Sequence, residues 1–178
     1  MTKATSHLAS GPVALAHRGF SGGTSHALEN SMAAFRAAAE LGYRWVETDV
    51  HATVDGVLVA FHDTTLDRTS DGAGAIAHLP WEVVARARIA GHEPIPRLAE
   101  LLTQLPQVCV NIDVKSAGAV TPLIECIERC GAHDRVRIAS FSDARRRAVL
   151  AGLTRPVRSS PGQSRTIALW LPAGAALV

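Results

Sequence analysis

Trp45-Val46-Glu47-Thr48-Asp49-Val50 and Val57-Leu58-Val59-Ala60-Phe61-His62-Asp63 form the stretch whose reading decides the fold. Both are short apolar runs that close on charged or imidazole side chains. Thr53-Val54-Asp55-Gly56 between them reads as a turn. No crossover helix fits there, so the chain returns through an extended segment if the two strands are parallel.

Working outward, further strand-like runs cover Val13 to Ala16, Val108 to Val114, Val136 to Ser140 and Val157 to Ser159, six at most in all. Helix-like runs lie between most of them, at Pro96 to Leu105, Ala119 to Cys130 and Asp143 to Ala151. The first helix is the clearest: Asn30 is its expected N-cap, Met32, Phe35, Ala38 and Ala39 share an apolar face, and Gly42 supplies the left-handed stop. Strands that are apolar throughout suit an α/β sheet buried on both faces with helices outside. Residues 63–95 carry polar turn signals and a short helix near Trp81 to Ala87, and are expected to form an insertion over the sheet. Residues 1–12 are expected to be a flexible arm, and Ile167 to Leu171 a last helix.

The chain has 178 residues, of which 47% are hydrophobic and 19% charged, a globular composition that excludes a disordered chain. Residues 1–113 carry 8 basic and 12 acidic side chains against 10 and 4 in residues 114–178, so the acids gather where the motifs are. The arginines of the basic part, including Arg145-Arg146-Arg147, have few aromatics interleaved, which favours a solvated helix face and no nucleic-acid partner. No run approaches the roughly 20 apolar residues that span a bilayer, so no stable membrane insertion is expected. Cys109, Cys126 and Cys130 are an odd set behind an N-terminus without a signal-peptide core, which reads as reduced thiols in a cytoplasmic protein. With His133, Cys126 and Cys130 offer a zinc-like trio, but small buried hydrophobes are the favoured reading.

Catalytic groups in parallel α/β folds gather at the C-terminal ends of strands, and His17, Glu47, Asp49, His62 and Asp113 each stand at such an end. Glu47 and Asp49 are two apart, so their side chains share a face and suit one hard cation, joined by Asp113 from a later strand. A capping or solvated pair is the bland alternative. Oxygen-only ligands point to Mg2+ or Ca2+. His17 and His62 suit a general acid and base, a hydrogen-bonded loop histidine being the alternative for either alone. Arg18 brings a charged fork and Lys115 a point charge, both suited to phosphate oxygens. Gly19, Gly22 and Gly23 allow close approach of backbone to ligand. His7, His26, His51, His78, His92 and His133 receive no role.

Ala16-His17-Arg18-Gly19, Glu29-Asn30-Ser31, Glu47-Thr48-Asp49-Val50 with Thr53-Val54-Asp55-Gly56, and Phe61-His62-Asp63-Thr64-Thr65-Leu66-Asp67-Arg68-Thr69 together resemble the glycerophosphodiester phosphodiesterase family. Pro94 to Leu102 and Ser140-Phe141 fit as well, so the likeness runs from about Val13 to Gln163. It implies a TIM (β/α)8-type barrel, one divalent cation, and hydrolysis of glycerophosphodiesters to glycerol 3-phosphate and an alcohol by way of a cyclic phosphate. Position by position, it implies His17 and His62 as the acid/base pair, Arg18 as a phosphate contact, and Glu47 and Asp49 as metal ligands. Asp113 stands where the family usually has a glutamate. Such a barrel takes about 250 residues, so residues 13–178 read as an incomplete barrel, C-terminally truncated, whose open sheet edges invite self-association. A catalytically inactive remnant that binds metal or phosphate, and phospholipase D-like action on lipid headgroups, are the alternatives carried forward.

Overall fold

A computed structural model describes residues 14–20 and 28–160. Expectations for residues 1–13, for Gly22, Gly23 and His26, and for the tail from residue 161 with its helix fall outside the described residues.

The main sheet has six strands: β1 (Leu15–Ala16), β2 (Trp45–Ala52), β3 (Leu58–Ala60), β6 (Cys109–Val114), β7 (Val136–Ala139) and β8 (Arg158–Ser159), while β4 (Arg88–Ile89) and β5 (Glu93–Pro94) form a separate small ribbon. Five strands run parallel in the order β1-β2-β6-β7-β8, and the helices α1 (Met32–Glu40), α3 (Leu98–Gln104), α4 (Val120–Cys130) and α5 (Asp143–Gly152) connect or flank them. This is an arc of a TIM-type barrel, with the helices outside. Val46, Val50, Val110, Ile112, Val114, Val136 and Ile138 point from the strands into one apolar layer with Phe35, Leu98, Leu101, Leu102, Leu123 and Ile127 of the helices. Alternate residues of β2, Trp45, Glu47, Asp49 and His51, therefore share the opposite, inner face.

β3 is the exception to the parallel order. It pairs antiparallel with the far end of β2, Val50 opposite Ala60 and Ala52 opposite Leu58, so the turn at residues 53–56 closes a hairpin. The hairpin is consequential because β2 overshoots the sheet rim and β3 brings the chain back: the Phe61 amide donates to the Asp49 carbonyl at 3.0 Å, and His62 follows at the level of the β2 carboxylates. Beneath it, Val59, Phe61, Leu66, Ile76, Val84, Ala87, Ile89 and Ile95 form a second apolar cluster. The segment after His62, including the short helix α2 (Trp81–Val84), thus packs its own small core under the hairpin.

Helix α1 starts one residue later than the sequence implies. Ser31 is the N-cap, its hydroxyl accepting from the Ala34 amide at 3.1 Å, and Asn30 sits instead at φ +59°, a left-handed position that asparagine tolerates. The correction frees the Asn30 amide for the strand ends. Gly42, at φ +88°, terminates the helix as expected.

The turn after β1 packs against the backbone of α1. Arg18 (φ +53°) and Gly19 (φ +80°) are consecutive left-handed residues, and a Cβ on Gly19 would meet the Ala34 carbonyl carbon at 2.8 Å. Backbone of α1 cannot yield as a flexible side chain does. Gly19→Ala is expected to destabilise the chain by about 1–3 kcal/mol, measured by urea unfolding; an unchanged midpoint would show that the turn can relax.

Candidate active site at the strand ends

In-register pairing assembles the site. β1 pairs with β2 with Ala16 opposite Val46, so His17 emerges beside Glu47; β6 pairs with β2 with Asp49 opposite Asp113. The His17 Nε2 atom lies 3.8 Å from Glu47 Oε2, with a largely exposed ring, and the Arg18 backbone N–H donates to the same oxygen at 3.1 Å. The two left-handed residues of the turn aim that N–H at the carboxylate, a strained backbone placed where it binds a charge.

Asp49 is nearly fully buried and draws three partners. Lys115 Nζ stands 2.9 Å from its Oδ1, Arg18 Nε 3.3 Å from its Oδ2, and the Asn30 amide donates to Oδ2 at 3.2 Å. The amide is itself fixed, because its oxygen accepts from the Thr48 hydroxyl at 2.8 Å. Lys115 Nζ reaches Asp113 Oδ2 at 2.7 Å as well, so one ammonium bridges both aspartates. Burial works against the Lys115 charge, but the hydrogen bonds to Asp113 and Asp49 outweigh it and hold the ammonium above the ordinary lysine range. Phe141 lies across from it, ring centroid 5.5 Å from Nζ.

Negative charge nonetheless exceeds what these partners neutralise. Glu47 is pushed up to about 7, first by burial and then by the charge of Asp49, and Asp113 Oδ1 is buried without a hydrogen-bond partner. Both observations fit a donor set made for a hard cation, three carboxylates of the type that hold Mg2+ or Ca2+. In the side-chain arrangement described, the Lys115 ammonium occupies the space between Asp49 and Asp113. Among the described residues no group of three or more His, Cys, Asp or Glu side chains is spaced to hold a metal ion.

The second imidazole comes from the hairpin. His62 Nδ1 lies 2.6 Å from Asp63 Oδ1 and its carbonyl is 3.1 Å from His51 Nε2. An ionised aspartate only accepts, so Nδ1 carries the proton and Nε2 is the nitrogen left free. Partial burial, then the neighbouring Arg18 charge, hold His17 below the ordinary histidine value, leaving a neutral ring able to accept a proton. The site thus offers two imidazoles, a guanidinium, an ammonium and three carboxylates on one rim.

His17, Arg18, Glu47, Asp49, Asp113 and Lys115 are joined by direct contacts, and His62 approaches them through Phe61 and His51. Sequence reasoning missed Asn30, His51, Glu29, Asp63 and Arg68 as partners. His51 was passed over although its alternation with Glu47 and Asp49 places it on the same face; burial, first, lowers its affinity for a proton, as expected of a neutral ring that donates one N–H. The three cysteines are free thiols, and no described helix is long and apolar enough to cross a membrane.

A family model described as the glycerophosphoryl diester phosphodiesterase family matches residues 17–156. A Mycobacterium tuberculosis protein named probable glycerophosphodiester phosphodiesterase 2 is 49% identical over 164 residues, which is 92% of this chain and 61% of that protein. A glycerophosphodiester phosphodiesterase of Caldanaerobacter subterraneus is 36% identical over 143 residues, 72% of this chain and 57% of its own length. Among solved structures, a glycerophosphodiester phosphodiesterase from Agrobacterium tumefaciens superposes with a TM-score of 0.73 at 27% identity, covering 81% of this chain and 63% of that one. An Oleispira antarctica phosphodiesterase in complex with the product sn-glycerol-3-phosphate gives 0.69 at 29% identity, covering 79% and 60%. The chain therefore spans about six tenths of the length of these curated relatives.

The elevated proton affinity of Glu47 makes stability depend on pH. A carboxyl whose folded-state pKa is raised from 4.5 to about 7 contributes stability that is fully present below pH 4.5 and lost as pH rises through 7. With chelator present, Glu47→Gln is expected to equal the unsubstituted chain at pH 4.5 and to exceed it by about 2–3 kcal/mol at pH 8. Urea unfolding at the two values checks it; an equal difference at both would show that Glu47 does not titrate in this range.

Proposed function

The chain belongs to the glycerophosphoryl diester phosphodiesterase family, and on that premise we propose that it hydrolyses glycerophosphodiesters to glycerol 3-phosphate and an alcohol, with one divalent cation held by Glu47, Asp49 and Asp113. The observation that carries this reading is the buried, partnerless Asp113 Oδ1 beside Asp49, on the rim where His17 and His62 also emerge. Most buried polar atoms in folded proteins find a hydrogen-bond partner, so an unpaired carboxylate oxygen beside two further carboxylates supports a ligand there.

Each side chain has a task that follows from its contacts. Arg18 is held at Nη1 by Glu29, and its Nε lies 3.3 Å from Asp49, which fixes a planar, permanently charged guanidinium suited to phosphate oxygens. Lys115 supplies a positive charge on the same side, suited to a phosphate oxygen. When bound, Mg2+ or Ca2+ would supply charge neutralisation at the phosphate and lower the pKa of a glycerol hydroxyl beside it. His17, neutral and exposed, is suited to holding or releasing a proton at Nε2, and His62, its Nδ1 tied to Asp63, does the same at its own Nε2. Acid and base exchange roles between the two halves of such a reaction.

Glycerophosphocholine incubated with the chain and Mg2+ or Ca2+ is expected to release glycerol 3-phosphate, and chelator to stop the release. His17→Ala and His62→Ala are each expected to lower turnover by ~10² or more. Near-normal turnover in both variants would remove the acid/base assignment, and turnover undiminished by chelator would remove the cation.

A further inference from the structure

Behind the two imidazoles runs an alternating chain of charges that the proposed chemistry does not itself require. Arg18 Nη1 donates to both oxygens of Glu29, at 3.2 Å each. Arg68 Nη2 donates to the same Glu29 Oε1, while Arg68 Nε and Nη2 reach the two oxygens of Asp63. Asp63 in turn holds His62 Nδ1. Arg18 and the stretch from His62 to Arg68 are thereby tied together through one carboxylate.

We infer that Glu29 is a positioning residue that couples the Arg18 side of the site to the His62 side, by holding Arg18 and Arg68 at once while Arg68 fixes Asp63 against His62. The roles of Arg18 and His62 rest on the hydrolase reading; the linkage is a property of the fold. Glu29 is suited to it because its side chain is only 13% exposed, next to the left-handed Asn30, whose backbone N–H donates to the Arg18 carbonyl at 2.9 Å. An exposed ion pair of ordinary kind would contribute little, whereas a bidentate carboxylate shared by two guanidiniums sets geometry as well as charge. Without Glu29, the Arg18 guanidinium keeps Asp49 and that of Arg68 keeps Asp63. Arg68's hydrogen bond, followed by that of His62, draws Asp63 down to about 2, so this aspartate remains an acceptor throughout the neutral range. The orientation of His62 then depends on where Arg68 is anchored.

The test reads the imidazole directly as well as turnover. In the 15N-labelled full chain, the His62 Nδ1–H resonance is assigned by its loss in His62→Gln. Glu29→Gln is expected to shift or broaden that resonance, lower kcat on glycerophosphocholine roughly tenfold and raise KM through Arg18. Arg68→Gln is expected to move the same resonance and lower kcat while leaving KM within about twofold, and the double variant to stay within about twofold of the poorer single one. An unmoved His62 resonance and wild-type kcat in Glu29→Gln would overturn the coupling, as would effects that multiply in the double variant. If Glu29→Gln fails to fold, Arg18→Lys reads the same linkage from its other end, Arg18 Nη1 being bonded to Glu29: a shifted His62 resonance is expected, and an unmoved one would overturn the coupling. Absence of turnover in the unsubstituted chain would count against the hydrolase reading alone, since the resonance still reports the linkage.

Discussion

In-register parallel pairing of β2 with β6, from Trp45 opposite Cys109 to Val50 opposite Val114, sets Asp49 beside Asp113 with Glu47 two residues back on the same face. Three carboxylates in a largely buried setting repel one another, and each loses the hydration that would stabilise its charge. The surroundings answer with an ammonium shared by the two aspartates, a guanidinium, an amide and a backbone N–H. The answer is incomplete, as the partnerless Asp113 oxygen and the raised Glu47 show. A hard cation is the completion proposed for it.

Two devices place the imidazoles there. The turn after β1 spends two left-handed residues to bend His17 and Arg18 over Glu47, and α1 is packed so close that only glycine fits at position 19. On the other side, β2 runs past the rim, turns, and returns as β3, so that an antiparallel strand delivers His62 to an end otherwise made by parallel ones. The small apolar cluster around Phe61, Leu66 and Ile76 supports that return. Rigid packing outside the barrel and strain at its mouth divide the work of stability and positioning between different residues.

Much of this was legible in the sequence, for reasons that differ by residue. The apolar runs with Glu47, Asp49 and Asp113 at their ends announced buried parallel strands, because strands covered on both faces show no alternation to obscure the polar residues that matter. The direction of β3 is not legible locally, since a four-residue turn fits a hairpin but its pairing depends on tertiary contacts. Asn30 and Ser31 have the same capping propensity by residue type, and only the tertiary demand for an amide at Asp49 separates them. Glu29, Arg68 and Asp63 stood inside recognisable motifs, yet their meeting joins positions up to 39 residues apart, a relation no local pattern encodes.

The most direct measurement is a crystal structure of the chain grown with Ca2+. One ion is expected within about 2.3–2.6 Å of oxygens from Glu47, Asp49 and Asp113, with the Lys115 ammonium displaced from between the two aspartates and both imidazoles facing the same side. A Lys115 that still bridges Asp49 and Asp113 at saturating Ca2+, with no ion on the three carboxylates, would contradict the shared-cation site.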